Sequence, residues 1–391
     1  MLVYKENRMS PRRWVEMKFV VEREELVDAV NWVARSLSAR PIKTELLGIM
    51  IDVDTSITLT GSDLETSTKA ILKADIASKG KVLVPGRLLA EIARSLPAKP
   101  ISFVLDGTRV LVTAGSAKFT LPTLSVMEYP TLPELPETAG LIASDVFANA
   151  VHQVAVAAGR DDSLPTLTGV HIEINKNHIT LAATDRYRLA VRELSWQAKN
   201  ADIESTTLVR ARTLTDAAKS LTSSDQVTIA LSPTTSHERL VGFVSELKTM
   251  TSRTLDGTFP PFKHLLPSES SSHAIVDVQT LLDSVRRVAL VTDKTVPLRL
   301  NFENNKLQLE AGAGEDAQAT EELDIEYVGE AINIAFNPQY LTDGLQALNT
   351  PFVQFDFTGA SKPAVLSGKH EASGARDESY KYLLMPMRYS S

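Results

Sequence analysis

Apolar positions in this chain follow two rhythms, and each rhythm recurs three times. In the first, a helix with apolar residues every three or four positions precedes strands in which apolar and polar residues alternate. Helices of this kind are predicted over residues 24–37, 144–158 and 278–291. Hairpins follow them. Ile49, Ile51 and Val53 lead to Ile57 and Leu59; Val170, Ile172 and Ile174 lead to Ile179 and Leu181; Leu298, Leu300 and Phe302 lead to Leu307 and Leu309. The links Asp54-Thr55-Ser56, Asn175-Lys176-Asn177 and Glu303-Asn304-Asn305-Lys306 supply the small polar residues that tight turns favour.

The second rhythm is a short apolar strand running into an amphipathic helix. Stretches beginning at Val84, Val209 and Phe336 align without gaps. Leu89, Leu214 and Leu341 coincide, as do Glu91, Asp216 and Asp343, and Leu96, Leu221 and Leu348. Leucines seven apart share one helical face, while Arg87/Arg94, Arg212/Lys219 and Gln339/Gln346 share another, polar one. Two helix-plus-strand modules therefore make one block, and the block occurs three times. Proline-rich residues 129–136 and the Pro-Ser stretch 266–272 suggest domains over 17–136, 137–267 and 268–391. The expected class is α+β, with two helices packed on antiparallel sheets in each domain. A repeated array of this kind ends in caps or closes on itself, and no atypical terminal repeat stands out.

Composition narrows the chemistry. The 391 residues carry a net charge of −7, which excludes a uniformly basic nucleic-acid coat and confines any DNA contact to a local surface. There is no cysteine, so disulfides and thiol chemistry are excluded and a reducing, cytoplasmic setting fits. No apolar run approaches the roughly 18 residues needed to cross a bilayer, so no membrane partner is expected. Residues 1–16 read as a disordered extension. Gly312-Ala313-Gly314 lacks the spacing of a dinucleotide loop, and the seven histidines are scattered without a carboxylate cluster, so no cofactor or metal is expected. Asp161-Asp162 reads as a turn or cap rather than a catalytic pair.

Two stretches give a resemblance. Ala183-Thr184-Asp185-Arg186-Tyr187-Arg188-Leu189-Ala190 is similar to the TD-x-[HYF]-RLA signature of the bacterial β sliding clamps, the β subunits of DNA polymerase III. Leu384-Met385-Pro386-Met387-Arg388 is similar to the family's C-terminal MPMR, and the likeness spans residues 17–388. It implies three clamp (DNA-clamp, processivity-fold) domains per chain and a head-to-tail homodimer closing as a six-domain ring. It implies no catalysis. The implied partners are duplex DNA, held without regard to sequence, and the replicative polymerase, clamp loader and repair proteins, bound through short linear motifs.

The resemblance also assigns residues. It implies a peptide pocket with walls from Leu167, Thr184, Arg186, Tyr187, Arg188, Leu189, Pro260, Leu265, Met385, Pro386 and Met387, with His264 beside them and Asn337, Tyr340 and Arg388 as polar contacts. Flexible thioethers suit a surface that takes several partners, and Arg188 could fork to a peptide carbonyl or carboxylate. Read without the family, Met385 and Leu189 are ordinary core residues. Arg186 stands where a small residue is common, His264 where some members carry a basic one, and Tyr389-Ser390-Ser391 extends past the usual end.

Arg40, in Ala39-Arg40-Pro41, matches a family position that contacts DNA, and the repeat adds Arg87, Arg94, Arg212 and Lys219. Each of these is equally an ordinary solvated helix residue. Phe119 and Leu121 match the family's interface strand, and Ala289 and Leu290 the opposing helix end, where a bulkier residue than Ala289 is usual. Two other readings stay open: a scaffold of the same fold that does not encircle DNA, and a hydrolase using Asp185 and His264.

Overall fold

The computed structural model describes residues 17–233, 236, 238–267, 269–291, 296–312 and 317–388. The extension over 1–16, the tail Tyr389-Ser390-Ser391 and residues 313–314 of the glycine stretch lie outside the described residues. The chain divides into two compact units, one of residues 1–135 and 242–252, the other of 136–241 and 253–391.

In the first unit, helix α1 (Arg23–Ala34) buries Leu26, Ala29, Val30 and Val33, the three-and-four spacing read from sequence. Its Trp32 indole donates to the Lys69 carbonyl at 2.9 Å. Helix α2 (Gly86–Ser95) buries Leu89, Ala90, Ile92 and Ala93. The Arg23 guanidinium donates to the carbonyls of Arg94 and Leu96, both at 2.6 Å, and so satisfies groups that a helix end leaves unpaired. A five-stranded antiparallel sheet runs in the order Asp75–Ser78, Met17–Val21, Ile101–Asp106, Arg109–Ala114, Ala117–Pro122. Phe19 stacks on Phe103 across it, ring centres 4.7 Å apart.

The second unit holds α3 (Ser144–Ala155), α4 (Ala211–Ser220), α5 (Val278–Val288) and α6 (Pro338–Leu348). A nine-stranded sheet runs Glu204–Arg210, Gly169–Asn175, His178–Thr184, Arg188–Ser195, Tyr380–Leu384, Ala364–Lys369, Phe352–Phe357, Ser272–Asp277, Glu326–Val328. The strand nearest the chain end thus lies beside the strand that begins at Arg188, although nearly two hundred residues separate them in sequence. A four-stranded sheet carries Leu298–Glu303 and Lys306–Ala311, joined by Asn304 and Asn305 at φ 51° and 60°, the two left-handed residues of a type I′ turn.

All six predicted helices and all three predicted hairpins form. The helices expected over 24–37 and 144–158 stop three residues early. There the amide of each next residue bonds three back instead of four: Ser36 to Val33, Leu37 to Ala34, Ala157 to Val154, Ala158 to Ala155. The buried Ser36 hydroxyl, 2.7 Å from that of Thr68, marks the place where α1 tightens. The apolar period continues through such a turn, which is why the pattern overran. Among the described residues no helix is long and apolar enough to cross a membrane.

Candidate partner-binding groove

The link between strands His178–Thr184 and Arg188–Ser195 is held by its own side chains. The Thr184 hydroxyl donates to the Arg188 carbonyl at 2.6 Å and accepts from the Arg186 amide at 3.1 Å. One Asp185 carboxylate oxygen accepts from the amides of Tyr187 and Arg188, at 3.0 and 3.1 Å. These bonds fix a turn whose tip, Arg186, has φ 81°, a region that costs a residue with a β-carbon about 1–2 kcal/mol. The turn leaves Tyr187 57% exposed.

Arg188 points the other way. It is 4% exposed, and its Nε donates to Asp185 at 2.9 Å while one Nη donates to Asp343 at 2.7 Å. The guanidinium also lies over the Tyr340 ring, 4.3 Å from its centre. Burial opposes its charge, but Tyr382, Asp343 and Asp185 outweigh burial and hold its pKa above the ordinary guanidinium value. Arg188 thus ties the hairpin to α6 while it also lines the groove.

Helix α6 supplies the opposite wall. The Asn337 side chain accepts from the amides of Gln339 and Tyr340, at 2.9 and 3.2 Å, and caps the helix, with Pro338 in the first turn where no amide is needed. Asn337 thus acts as a helix cap. Gly344, one turn further on, lets the helix approach Tyr382: a β-carbon there would stand 2.4 Å from the ring. Beyond the strand Tyr380–Leu384, the Met385 amide donates to the Tyr187 carbonyl at 2.9 Å and the Met387 amide to that of Ala335 at 2.8 Å. Pro386, lacking an amide, sits between these two anchors.

The resulting groove, about 590 Å³, is lined by Leu167, Arg186, Tyr187, Arg188 and Tyr340 from the expected set, and by Arg160, Asp161, Leu164, Asp185, Gln339 and Asp343 besides. Thr184 and Leu189 lie in its supporting hairpin. Pro260, His264 and Leu265 do not line it. They belong to an adjoining segment whose Phe259 and Phe262 pack with Leu189, Val191, Leu383 and Val365. Leu265 there is 45% exposed and Met385 38%. Met385, Pro386, Met387 and Arg388 follow the last strand without lining the groove. Asp343 could have been found from sequence, since it follows Tyr340 by one turn. Arg160 and Leu164 gave no signal beyond lying near a turn, where the Ser163 amide donates to Asp161 at 2.9 Å.

The other assigned residues scatter over both units. Arg40, Arg87, Arg212 and Lys219 are exposed, and their charged groups have no partner among the described residues. Arg94 is exposed but donates to Asn31 at 3.1 Å. Phe119 is exposed on the edge strand Ala117–Pro122, whereas Leu121, 1% exposed, is buried in the core of its own unit. Ala289 is half-buried and Leu290 is 84% exposed, just past the end of α5.

Models of the DNA polymerase III beta subunit match the chain in order: the N-terminal domain over residues 17–133, the central domain over 141–261 and the C-terminal domain over 263–388. The beta sliding clamp of Streptomyces coelicolor is 49% identical over 375 residues, covering 96% of this chain and all of that one. The DNA polymerase sliding clamp of Bacillus subtilis superposes with a TM-score of 0.86 at 26% identity, over 96% of this chain and 100% of its own. A DnaN sliding clamp of Pseudomonas aeruginosa, crystallised with griselimycin bound, gives 0.87 at 28% identity over the same shares. With every block of its threefold repeat so matched, this chain belongs to the bacterial β sliding clamp family, the β subunits of DNA polymerase III.

Proposed function

We propose that this DNA sliding clamp, a processivity factor and not an enzyme, receives short linear segments of its protein partners in the groove between the hairpin tip 184–188 and helix α6. The observation that carries the reading is a contrast of exposure. Tyr187 in the groove and Met385 beside it stand open to solvent although apolar or aromatic, while the buried guanidinium of Arg188 is already paired with Asp185 and Asp343. Such a surface gains from burying apolar side chains and loses little from desolvating its floor. Leu167, Leu164 and Tyr340 complete the walls, and the segment with Pro260, His264 and Leu265 extends them.

In the same reading the chain comprises domains 17–136, 137–267 and 268–391, and two chains join head to tail to surround duplex DNA in the cytoplasm. Exposed Arg40, Arg87, Arg94, Arg212 and Lys219 meet phosphates without reading bases, as sliding requires. Phe119 on one chain faces Leu290 on the other. The groove is tested by titrating griselimycin, the ligand of the Pseudomonas clamp, into wild type and Tyr187→Ala. A tenfold or greater loss of affinity is expected, on the order of the 1.4 kcal/mol that one exposed aromatic anchor supplies. Unchanged affinity with an intact fold rejects the groove.

A further inference from the structure

We infer that the ladder joining residues 66–70 to residues 248–252 is the compliant seam of this chain, and that it yields before its counterpart in the second unit when the ring is opened. The inference rests on the ring reading above and adds where the chain gives way.

Two ladders occupy the same place in the repeat. Each starts at a turn with one hydrogen-bond pattern. In the first block the Ser62 hydroxyl donates to the Thr66 carbonyl and accepts from the Leu64 amide, both at 3.0 Å. One Asp63 oxygen accepts from the amides of Glu65 and Thr66, at 3.0 and 2.7 Å. Thr184 and Asp185 make the same bonds in the second block, and the tips Leu64 and Arg186 share a left-handed backbone, φ 79° and 81°. From each turn a strand runs beside a strand of the following block. Residues 66–70 pair with 248–252, and residues 188–192 with 380–384.

The side chains of the two ladders differ. In the second, Leu189, Ala190, Val191, Tyr380, Tyr382, Leu383 and Leu384 are buried, and the two tyrosine hydroxyls donate to the carbonyls of Gln153 and Tyr340 at 2.9 Å. In the first, the buried residues are Ser67, Thr68, Lys248, Thr251 and Ser252, with Ala70 and Met250. Thr68 donates to the Val33 carbonyl at 3.2 Å, and the Thr66 and Ser252 hydroxyls lie 3.4 Å apart. The Lys248 ammonium meets Asp28 at 2.8 Å, and the Asp28 side chain is 65% exposed. Parting the second ladder exposes large apolar and aromatic groups, at a cost set by their area. Parting the first lets hydroxyls and an ammonium exchange protein partners for water, and the net loss per hydrogen bond is small. Local opening takes the least stable contacts first. A closed ring must open to admit DNA that has no free end. A seam that yields reversibly lets the chain follow that opening while the apolar ladder keeps the groove in shape.

The test uses the full chain. In hydrogen exchange of the wild type, the amides of 248–252 should exchange at least about tenfold faster than those of 380–384. Equal or slower exchange overturns the inference. The chain has no cysteine, so one engineered pair can form only one intramolecular disulfide. Ser67→Cys with Thr251→Cys places that disulfide across the seam, between facing residues whose α-carbons stand about 4.5–5.5 Å apart. Thr58→Cys with Ile71→Cys places one inside the first block. Loading onto nicked circular DNA by the clamp loader is then compared for oxidised and reduced forms. Oxidation across the seam should slow loading at least about threefold and leave griselimycin affinity unchanged, and oxidation inside the block should change neither. Equal loading of the oxidised and reduced seam variant, or equal slowing by both disulfides, overturns the inference and leaves the ring standing. A wild-type chain held no longer on circular than on linear DNA overturns the ring, and this inference with it.

Discussion

At the scale of single residues, the groove depends on a charge paired within the chain. Arg188 is buried with two carboxylates, so removing it leaves Asp185 and Asp343 facing each other with no counter-ion. Arg188→Met is expected to destabilise the second unit by about 3–5 kcal/mol, read from the midpoint of its urea transition. Adding Asp185→Asn and Asp343→Asn should recover much of that loss, because the cost lies in the unpaired carboxylates. Equal stability of Arg188→Met and wild type would show the cluster to be idle. His171 gives a prediction in pH. Burial between Phe259 and Phe262, ring centres 5.0 and 6.0 Å away, lowers its pKa; Glu173 opposes this and Lys263 adds to it. The unfolded chain therefore takes up a proton near pH 6.5 before the folded one does. This contribution is complete above that value and is lost as pH falls from it through the lower pKa of the folded state. The melting temperature should drop between about pH 7.5 and pH 5.5, and His171→Phe should flatten that drop. The signature around Asp185 was legible in the sequence, but the role of Arg188 was not. Its decisive partner, Asp343, lies 155 residues away, and no local pattern tells a buried guanidinium from a free one.

At the scale of elements, local chemistry was enough wherever a turn or a face was self-contained. Asn304 and Asn305 sit left-handed as their residue types suggest, and the coinciding leucines Leu89, Leu214 and Leu341 of α2, α4 and α6 are buried as their spacing requires. Strands such as Ala319–Asp324 escaped notice because their outward positions are Thr, Glu and Asp, and on the other face Glu321 stands between Ala319 and Leu323. Pairing to Lys306–Ala311, rather than pattern, makes Ala319–Asp324 a strand. The fit of α6 against the sheet is equally nonlocal. A glycine inside a helix ordinarily weakens it, yet Gly344 is where Tyr382 comes closest, and the Tyr382 hydroxyl donates to the Tyr340 carbonyl at 2.9 Å. Gly344→Ala should raise intrinsic helix propensity and still destabilise by about 1–3 kcal/mol, because the added methyl must push the ring or the helix aside. Griselimycin affinity should fall with it, since Tyr340 rides on the same turn. A more stable Gly344→Ala protein, measured by the same urea transition, would mean that the contact yields freely and propensity decides.

At the scale of the whole molecule, the threefold repeat was legible because each block preserves its own core spacing, but the way blocks share strands was not. Residues 248–252 pair with 66–70, and the Lys248 ammonium meets Asp28 at 2.8 Å, so residues 242–252 cluster with the first unit although the repeat counts them in the second block. The same limit applies to the proposed dimer contact, where the family resemblance assigned Phe119 and Leu121 together and made them look equivalent. They share that face, but its inner end is covered by the sheet's own core and its outer end is not. The two residues should therefore fail differently. Leu121→Ala removes a fully buried side chain and should cost about 2–5 kcal/mol of folding stability, whatever the chain's association state. Phe119→Ala removes a ring at an open edge strand, where unpaired amides and carbonyls already invite a second chain. It should leave unfolding of the isolated chain unchanged and weaken dimerisation by about 1–3 kcal/mol, or roughly ten- to a hundredfold. Leu290→Ala should act like Phe119→Ala, and combining the two should give less than the sum if the side chains touch across the interface. Sedimentation of each variant over a dilution series separates these outcomes. A Phe119→Ala dimer that survives dilution as well as wild type would take the edge strand out of the interface, and strict additivity with Leu290→Ala would place the two residues in different contacts.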